Sequence, residues 1–273
     1  MNTTNNSNAT AFIHPEAKIG KDVVIGPFTY IDKGVEVGDG TWIGPSATLF
    51  EGARIGKNCR IFPGVVIAGI PQDLKFKGEM TTAEVGDNTT IREYVTINRG
   101  TSYANKTAVG SNCLLMAYAH VAHDCILGDH VILANNVNLA GHVEVGDWAI
   151  LEGLVAVQQF IKIGQHSFIA GGSLVRKHVP PYVKAAREPL SYAGVNSIGL
   201  RRRQFKTETI NEIQEIYRIL FVKGYSTSHA LEIIEDSLEP TQERDSILNF
   251  IKSADPGIMR GFQQLNGKNL DED

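Results

Sequence analysis

The chain has 273 residues, 42% hydrophobic and 21% charged, with a net charge of −4. That length holds one large core with a smaller domain beside it, and the mild acidity gives no overall reason for nucleic-acid binding. No apolar stretch reaches membrane-spanning length, so a soluble, cytoplasmic protein without a membrane span is expected.

Residues 1–10 are rich in Asn, Thr and Ser and carry no apolar run, which predicts a disordered tail and neither signal peptide nor anchor. From Ile13 to Val175 every sixth residue is Ile, Leu or Val at 25 of 28 positions, the exceptions being Asp73, Glu79 and Tyr103. A helix repeats its apolar face at about 3.6 residues and a strand at about 2, so neither makes this pattern. Stacked hexapeptides do: three short strands form one triangular coil of 18 residues, a parallel β-helix. Ten of the aliphatic residues are followed directly by Gly, from Gly20 to Gly164. The fourth residue after each is small or β-branched, as in Ala17, Val23, Thr29 and Val35. Both the aliphatic and the small position must point inward to fill a narrow prism.

The prism is expected over 11–179, with two polar excursions at 68–84 and 101–108. Loops leaving a rigid scaffold are where binding and catalysis concentrate. Cys59, Cys113 and Cys125 all fall in the inward small slot, which makes them core residues rather than nucleophiles or ligands. After Val179-Pro180-Pro181 the period stops. Helix-spaced apolar residues then predict helices over Thr207 to Val222, Ser226 to Leu238 and about Gln242 to Ile251, a small helical domain over 180–265. Residues 266–273 read as a second disordered tail. Between Arg176 and Lys206 lie eight basic residues and one acid, a segment of +7 in an acidic chain, which points to a phosphate or an acidic partner.

Folding the chain by its period puts His123, Gly141 and Gln159 in one outward column, 18 residues apart, with His142 beside it and His120 one corner earlier. At about 4.8 Å per coil, His123 and Gln159 are expected roughly 10 Å apart, with a gap at Gly141. A neutral imidazole suits general-base work at neutral pH. The gap would admit a substrate, and the Gly141 N–H could serve an oxyanion. Two other readings stand beside this one: histidines packing a subunit interface, and His120, His123 and His142 holding Zn²⁺.

The segment Ala119-His120-Val121-Ala122-His123-Asp124-Cys125, with Leu133-Ala134-Asn135-Asn136 and Leu139-Ala140-Gly141-His142-Val143, resembles the bacterial UDP-N-acetylglucosamine O-acyltransferases, which begin lipid A synthesis. The resemblance continues through Gln72-Asp73-Leu74-Lys75 with Gly78-Glu79, Ile97-Asn98-Arg99-Gly100-Thr101, Gln159-Phe160, Val179-Pro180-Pro181-Tyr182-Val183, and Gly194-Val195-Asn196 before Gly199-Leu200-Arg201-Arg202. It implies a left-handed β-helix of hexapeptide repeats followed by a small α-helical domain; the hand comes from the family, since the usual crossover rule gives the opposite one. It implies His123 as general base, supported by Asp124, with Gly141 N–H on the oxyanion. The nucleophile is then the 3-hydroxyl of UDP-N-acetylglucosamine, and the donor a (3R)-hydroxyacyl thioester on acyl carrier protein. Gln72, Asp73, Lys75, Asn98, His120, His142, Gln159, Asn196, Arg202 and Arg203 are the implied substrate-binding residues, and Gly171 the acyl-length determinant. No metal or cofactor is implied, and the site of such enzymes lies between subunits of a homotrimer. The chain departs from the family pattern at Asn98 and Gln158, where His is familiar, and at Ile198, where an acid is. Two alternatives remain: the related N-acyltransferase of the same pathway, which normally carries an extra N-terminal domain before its hexads, and a non-catalytic hexapeptide scaffold.

Overall fold

A computed structural model describes residues 10–255 and 257–261. The tails expected at 1–10 and 266–273 lie outside these residues, except for Thr10.

Strands of two to four residues recur along the prism and pair in parallel with the strand one coil away, so that Leu115, Leu133, Leu151 and Ile169 stack in register. Among the described residues three sheets result, of nine, eight and eleven strands. The interior is the predicted double row: Ile31, Leu49, Leu115 and Leu139 from the aliphatic series, and Val35, Ala47, Ala119 and Val137 from the small one, none of them exposed. The architecture is the left-handed β-helix with a C-terminal helical region. Glycine after the aliphatic residue is required by coil spacing. A Cβ on Gly20 would sit 2.7 Å from the Asp39 amide nitrogen of the next coil. The left-handed backbone falls two residues later; Asn58, Asn136, Asp124 and His142 carry it with the side chains that tolerate it best, and Phe28, Tyr118 and Leu154 adopt it as well.

The three cysteines are buried core residues. Each thiol donates to a carbonyl, Cys125 Sγ to Ala140 O at 3.1 Å, and burial pushes the Cys125 thiol up to about 12. A thiolate nucleophile there is ruled out by both geometry and charge.

The two excursions are shorter than the polar sequence suggests. Val66–Gly69, Thr82–Val85 and Lys106–Val109 are strands, and Thr82–Val85 pairs along its whole length with Lys106–Val109. The inserted backbones satisfy one another's hydrogen bonds where the ends of the insertions meet. This leaves loops at 70–81 and 101–105 above one corner of the prism. Ile67 accordingly pairs with Ile97 and Ile97 with Val121, skipping the inserted residues.

Beyond Val175 the structure stays β before it turns helical. Val183–Ala186 extends the eleven-stranded sheet in parallel to Phe168–Ile169, and Ser191–Val195 folds back antiparallel on it. Four helices follow among the described residues: α1 Ser197–Arg202, α2 Thr207–Phe221, α3 Thr227–Ser237 and α4 Gln242–Lys252. Asn196, Ser226 and Thr241 cap α1, α3 and α4 through their side chains. Helix α2 buries Tyr217 completely, its hydroxyl donating to Pro181 O at 2.6 Å. No helix among the described residues is long and apolar enough to cross a membrane.

Candidate active site

The prism has three corners. The first follows the nine-stranded sheet, the second the eight-stranded and the third the eleven-stranded. Val121, Leu139 and Val157 stack in the nine-stranded sheet, so His123, Gly141 and Gln159, each two residues later, line the first corner as the register predicts. Both loops lie over this corner.

Asp124 is buried, and its carboxylate takes four hydrogen bonds. Oδ1 accepts from the Thr101 amide at 2.9 Å and the Ala104 amide at 3.1 Å; Oδ2 accepts from Thr101 Oγ1 at 2.7 Å and pairs with His123 Nδ1 at 2.8 Å. Burial works against its charge, but the bonds from Thr101, His123 and Ala104 outweigh it and hold the carboxyl below the usual range. An ionised Asp124 can only accept, so Nδ1 carries the proton and Nε2 presents its lone pair. That nitrogen has no hydrogen-bond partner among the described residues.

The gap expected at Gly141 is occupied by the base itself. A Cβ there would lie 2.6 Å from His123 Cε1 and 2.8 Å from Nε2. Gly141 is therefore needed so that the imidazole can lie across the neighbouring coil. Its carbonyl accepts from Phe160, while its N–H has no acceptor among the described residues.

His142 stands with its ring perpendicular to His123 at 5.0 Å, stacked on Phe160 at 4.2 Å and met edge-on by Tyr103 at 4.5 Å. Burial keeps this imidazole below its ordinary pKa, and the charges of Asp124, His123, Asp73 and Lys75 all bear on it, which places the 70–81 loop within reach. His120, on the flat of the nine-stranded sheet, bonds Thr96 Oγ1 at 2.7 Å and is kept below its ordinary pKa first by burial, then by His123. Asn98 is buried. Its amide nitrogen donates to Gly69 O and Ile70 O at the root of the loop, and its Oδ1 has no partner among the described residues. Gln72, Lys75 and Gln159 are exposed at the same corner.

Among the described residues, the cluster of three His, Cys, Asp or Glu whose ligating atoms all lie within 4.8 Å of one another is His123, Asp124 and His142, not the three histidines of the zinc reading. His120 is committed to Thr96, and Asp124 has both oxygens filled by hydrogen-bond donors. The donor set is that of a hydrogen-bonded base, with no carboxylate lone pair left facing outward for a cation.

The remaining predicted residues lie elsewhere on the chain. Arg203 packs at the second corner, its guanidinium 5.0 Å from the Trp148 ring and donating to Trp148 O at 3.1 Å. Asn196 spends its side chain capping α1 and donating to His166 O at 2.9 Å. Arg202 is exposed on α1. Gly171 sits at the third corner, where Gly153 O is 3.2 Å from the position of an added Cβ. The hexad register already held this information, since Gly171 lies eight hexads beyond His123 and eight is not a multiple of three. Thr101, Ala104, Tyr103 and Phe160, which frame the dyad, carried no assigned role in the sequence. The one signal for the first three was the break in the hexad register at Tyr103.

The family model for UDP-N-acetylglucosamine O-acyltransferase, domain 2, matches residues 178–259, and that for bacterial transferase hexapeptides matches 106–141. A third, for the GMPPB C-terminal domain, matches 7–111. The acyl-[acyl-carrier-protein]–UDP-N-acetylglucosamine O-acyltransferase of Thiobacillus denitrificans is 44% identical, over 92% of this chain and 98% of its own length. The chain belongs to this acyltransferase family. Solved members superpose closely. The UDP-N-acetylglucosamine acyltransferase of Bacteroides fragilis is 48% identical with a TM-score of 0.92, covering 93% of this chain and all of its own. That of Francisella novicida is 38% identical with a TM-score of 0.90, over 93% of each chain.

Proposed function

We propose that this chain transfers a (3R)-hydroxyacyl group from acyl carrier protein to the 3-hydroxyl of UDP-N-acetylglucosamine, the first step of lipid A synthesis, with His123 as general base. The observation that carries the mechanism is the His123–Asp124 pair, which fixes the imidazole with its basic Nε2 outward. Nε2 takes the proton of the sugar hydroxyl as its oxygen attacks the thioester carbonyl. The Gly141 N–H donates to the oxyanion of the tetrahedral intermediate. The carbon–sulfur bond then breaks, and the imidazolium returns its proton to the departing carrier thiolate. Asp124 orients the ring and stabilises its charged form, as the carboxylate of a Ser-His-Asp triad does. Asp73, Lys75, His120, His142 and Gln159, with Gln72 and Asn98 at the loop, surround the sugar.

A homotrimer completes the site in this reading. In this reading different copies supply the first corner, α1 and the third corner to one ligand. The third corner also exposes Phe28, Tyr94, Tyr118 and Leu154, a row of apolar groups suited to a neighbouring copy. Arg201, Arg202 and Lys206 are exposed and can meet UDP phosphates or an acidic carrier protein, whereas Arg203 is already held at Trp148. We place the reaction in the cytoplasm. The test is a direct assay with UDP-N-acetylglucosamine and a (3R)-hydroxyacyl carrier protein. The 3-O-acyl product is expected; no product, or acylation only of a 2-amino sugar nucleotide, overturns the reading.

Gly171 sets the end of the acyl groove in this proposal. A Met side chain there would start from a Cβ 3.2 Å from Gly153 O and reach outward into the groove. Each CH₂ buried by the chain contributes about 0.8 kcal/mol, and overpacking costs about 1–3 kcal/mol. Gly171→Met is expected to shift preference toward shorter donors while leaving the short-donor rate largely intact. Donors of graded length competing in one reaction measure this, and an unaltered length profile would place the chain end elsewhere.

A further inference from the structure

We infer that Thr101 is a positioning residue for the base, and that the 101–105 loop exists at this corner to hold the Asp124 carboxylate in the orientation His123 needs. The inference rests on His123 being the base.

Three of the four donors on Asp124 come from this short loop: the Thr101 amide, the Thr101 hydroxyl and the Ala104 amide. The Thr101 hydroxyl also accepts from the Tyr103 amide at 3.2 Å, so its proton is directed onto Asp124 Oδ2. That is the same oxygen that faces His123 Nδ1. Thr101 is buried, and its hydroxyl is already engaged on both sides, donating to Asp124 and accepting from the Tyr103 amide. From below, Thr107 Oγ1 accepts from the Asp124 amide at 2.8 Å, fixing the corner backbone. The loop is in turn tied to the substrate loop, because Ser102 donates its amide to Glu79. A corner without the insertion would leave Asp124, with its left-handed backbone, short of three donors. Buried carboxylates are costly without such partners.

The hydroxyl does two things to the pair. It holds Oδ2 in place, and by drawing on that oxygen's charge it weakens the hold of Asp124 on a protonated His123. Replacing it with a methyl group leaves the carboxylate charge less shared, so the imidazolium gains stability and His123 titrates at a higher pH. The other groups facing the pair are unchanged by the substitution: His142 3.8 Å from Asp124 Oδ2, His120 beside His123, Cys125 next in the chain, and Asp73 and Lys75 across His142.

The test compares wild type, Thr101→Val, Thr101→Ser and His123→Ala in kcat/KM across pH, with NMR titration of the His123 imidazole in the first three. For Thr101→Val the acidic limb and the imidazole pKa are expected to rise together by about 0.5 to 1 unit, equal to about a 3- to 10-fold loss below the limb. Thr101→Ser, which keeps the hydroxyl, is expected to retain the wild-type limb. A uniform loss in Thr101→Val with an unmoved limb and imidazole would make Thr101 merely structural and overturn the inference, as would a wild-type profile. His123→Ala separates the two levels: if it is inactive while the Thr101→Val limb stays put, only the role of Thr101 falls. If it keeps its activity, the base assignment falls and takes Thr101 with it.

Discussion

His123→Ala is expected to fold and assemble as wild type and to lose turnover by about 10² to 10⁴, the usual worth of a general base. The fold should survive because the imidazole stands outside the prism, on the first corner, and contributes nothing to the interior rows of aliphatic and small side chains. Its removal does leave Asp124 with one fewer donor, but Thr101 and Ala104 still supply three. A measured rate near wild type, with unchanged melting temperature, would remove His123 from the chemistry. A collapse in melting temperature would instead mean that the ring supports the corner.

Gly141→Ala is expected to be nearly as damaging to catalysis through a different cause. One methyl group on Gly141 would stand 2.6–2.8 Å from His123 Cε1 and Nε2. The Gly141 backbone is not in the left-handed region, so alanine meets no strain of its own. The imidazole must give way, and it is held between Asp124 and His142. A displacement of about 1 Å at a reacting group can cost on the order of 10²-fold in rate, while overpacking at a surface corner is expected to cost no more than about 1–3 kcal/mol in stability. The signature is a large fall in kcat with a small change in melting temperature. A crystal structure of the variant should show the ring turned away and the 2.8 Å bond to Asp124 lengthened. Full activity would mean that the ring need not lie across Gly141.

The hexad register alone determined the prism, because a six-residue period can bury its apolar side chains in no other regular backbone. The same register determined that the cysteines face inward and that His123, Gly141 and Gln159 share a corner. It also placed Gly171 on another corner. That fact lay in the numbering, but it acquires meaning only when the corners are seen as separate surfaces.

Tertiary structure alone decided the rest. The loops at 70–81 and 101–105 break the period, and with it goes any rule that places one side chain over another. That Thr101 and Ala104 fasten Asp124, that Glu79 ties the loops together, and that Asn98 pins the loop root are contacts between segments more than a coil apart. The resemblance implies Arg203 and Asn196 as substrate residues; the fold adds that Arg203 donates to Trp148 O and Asn196 to His166 O. A charged or polar side chain advertises what it can bond, and only the fold says which partner reaches it first.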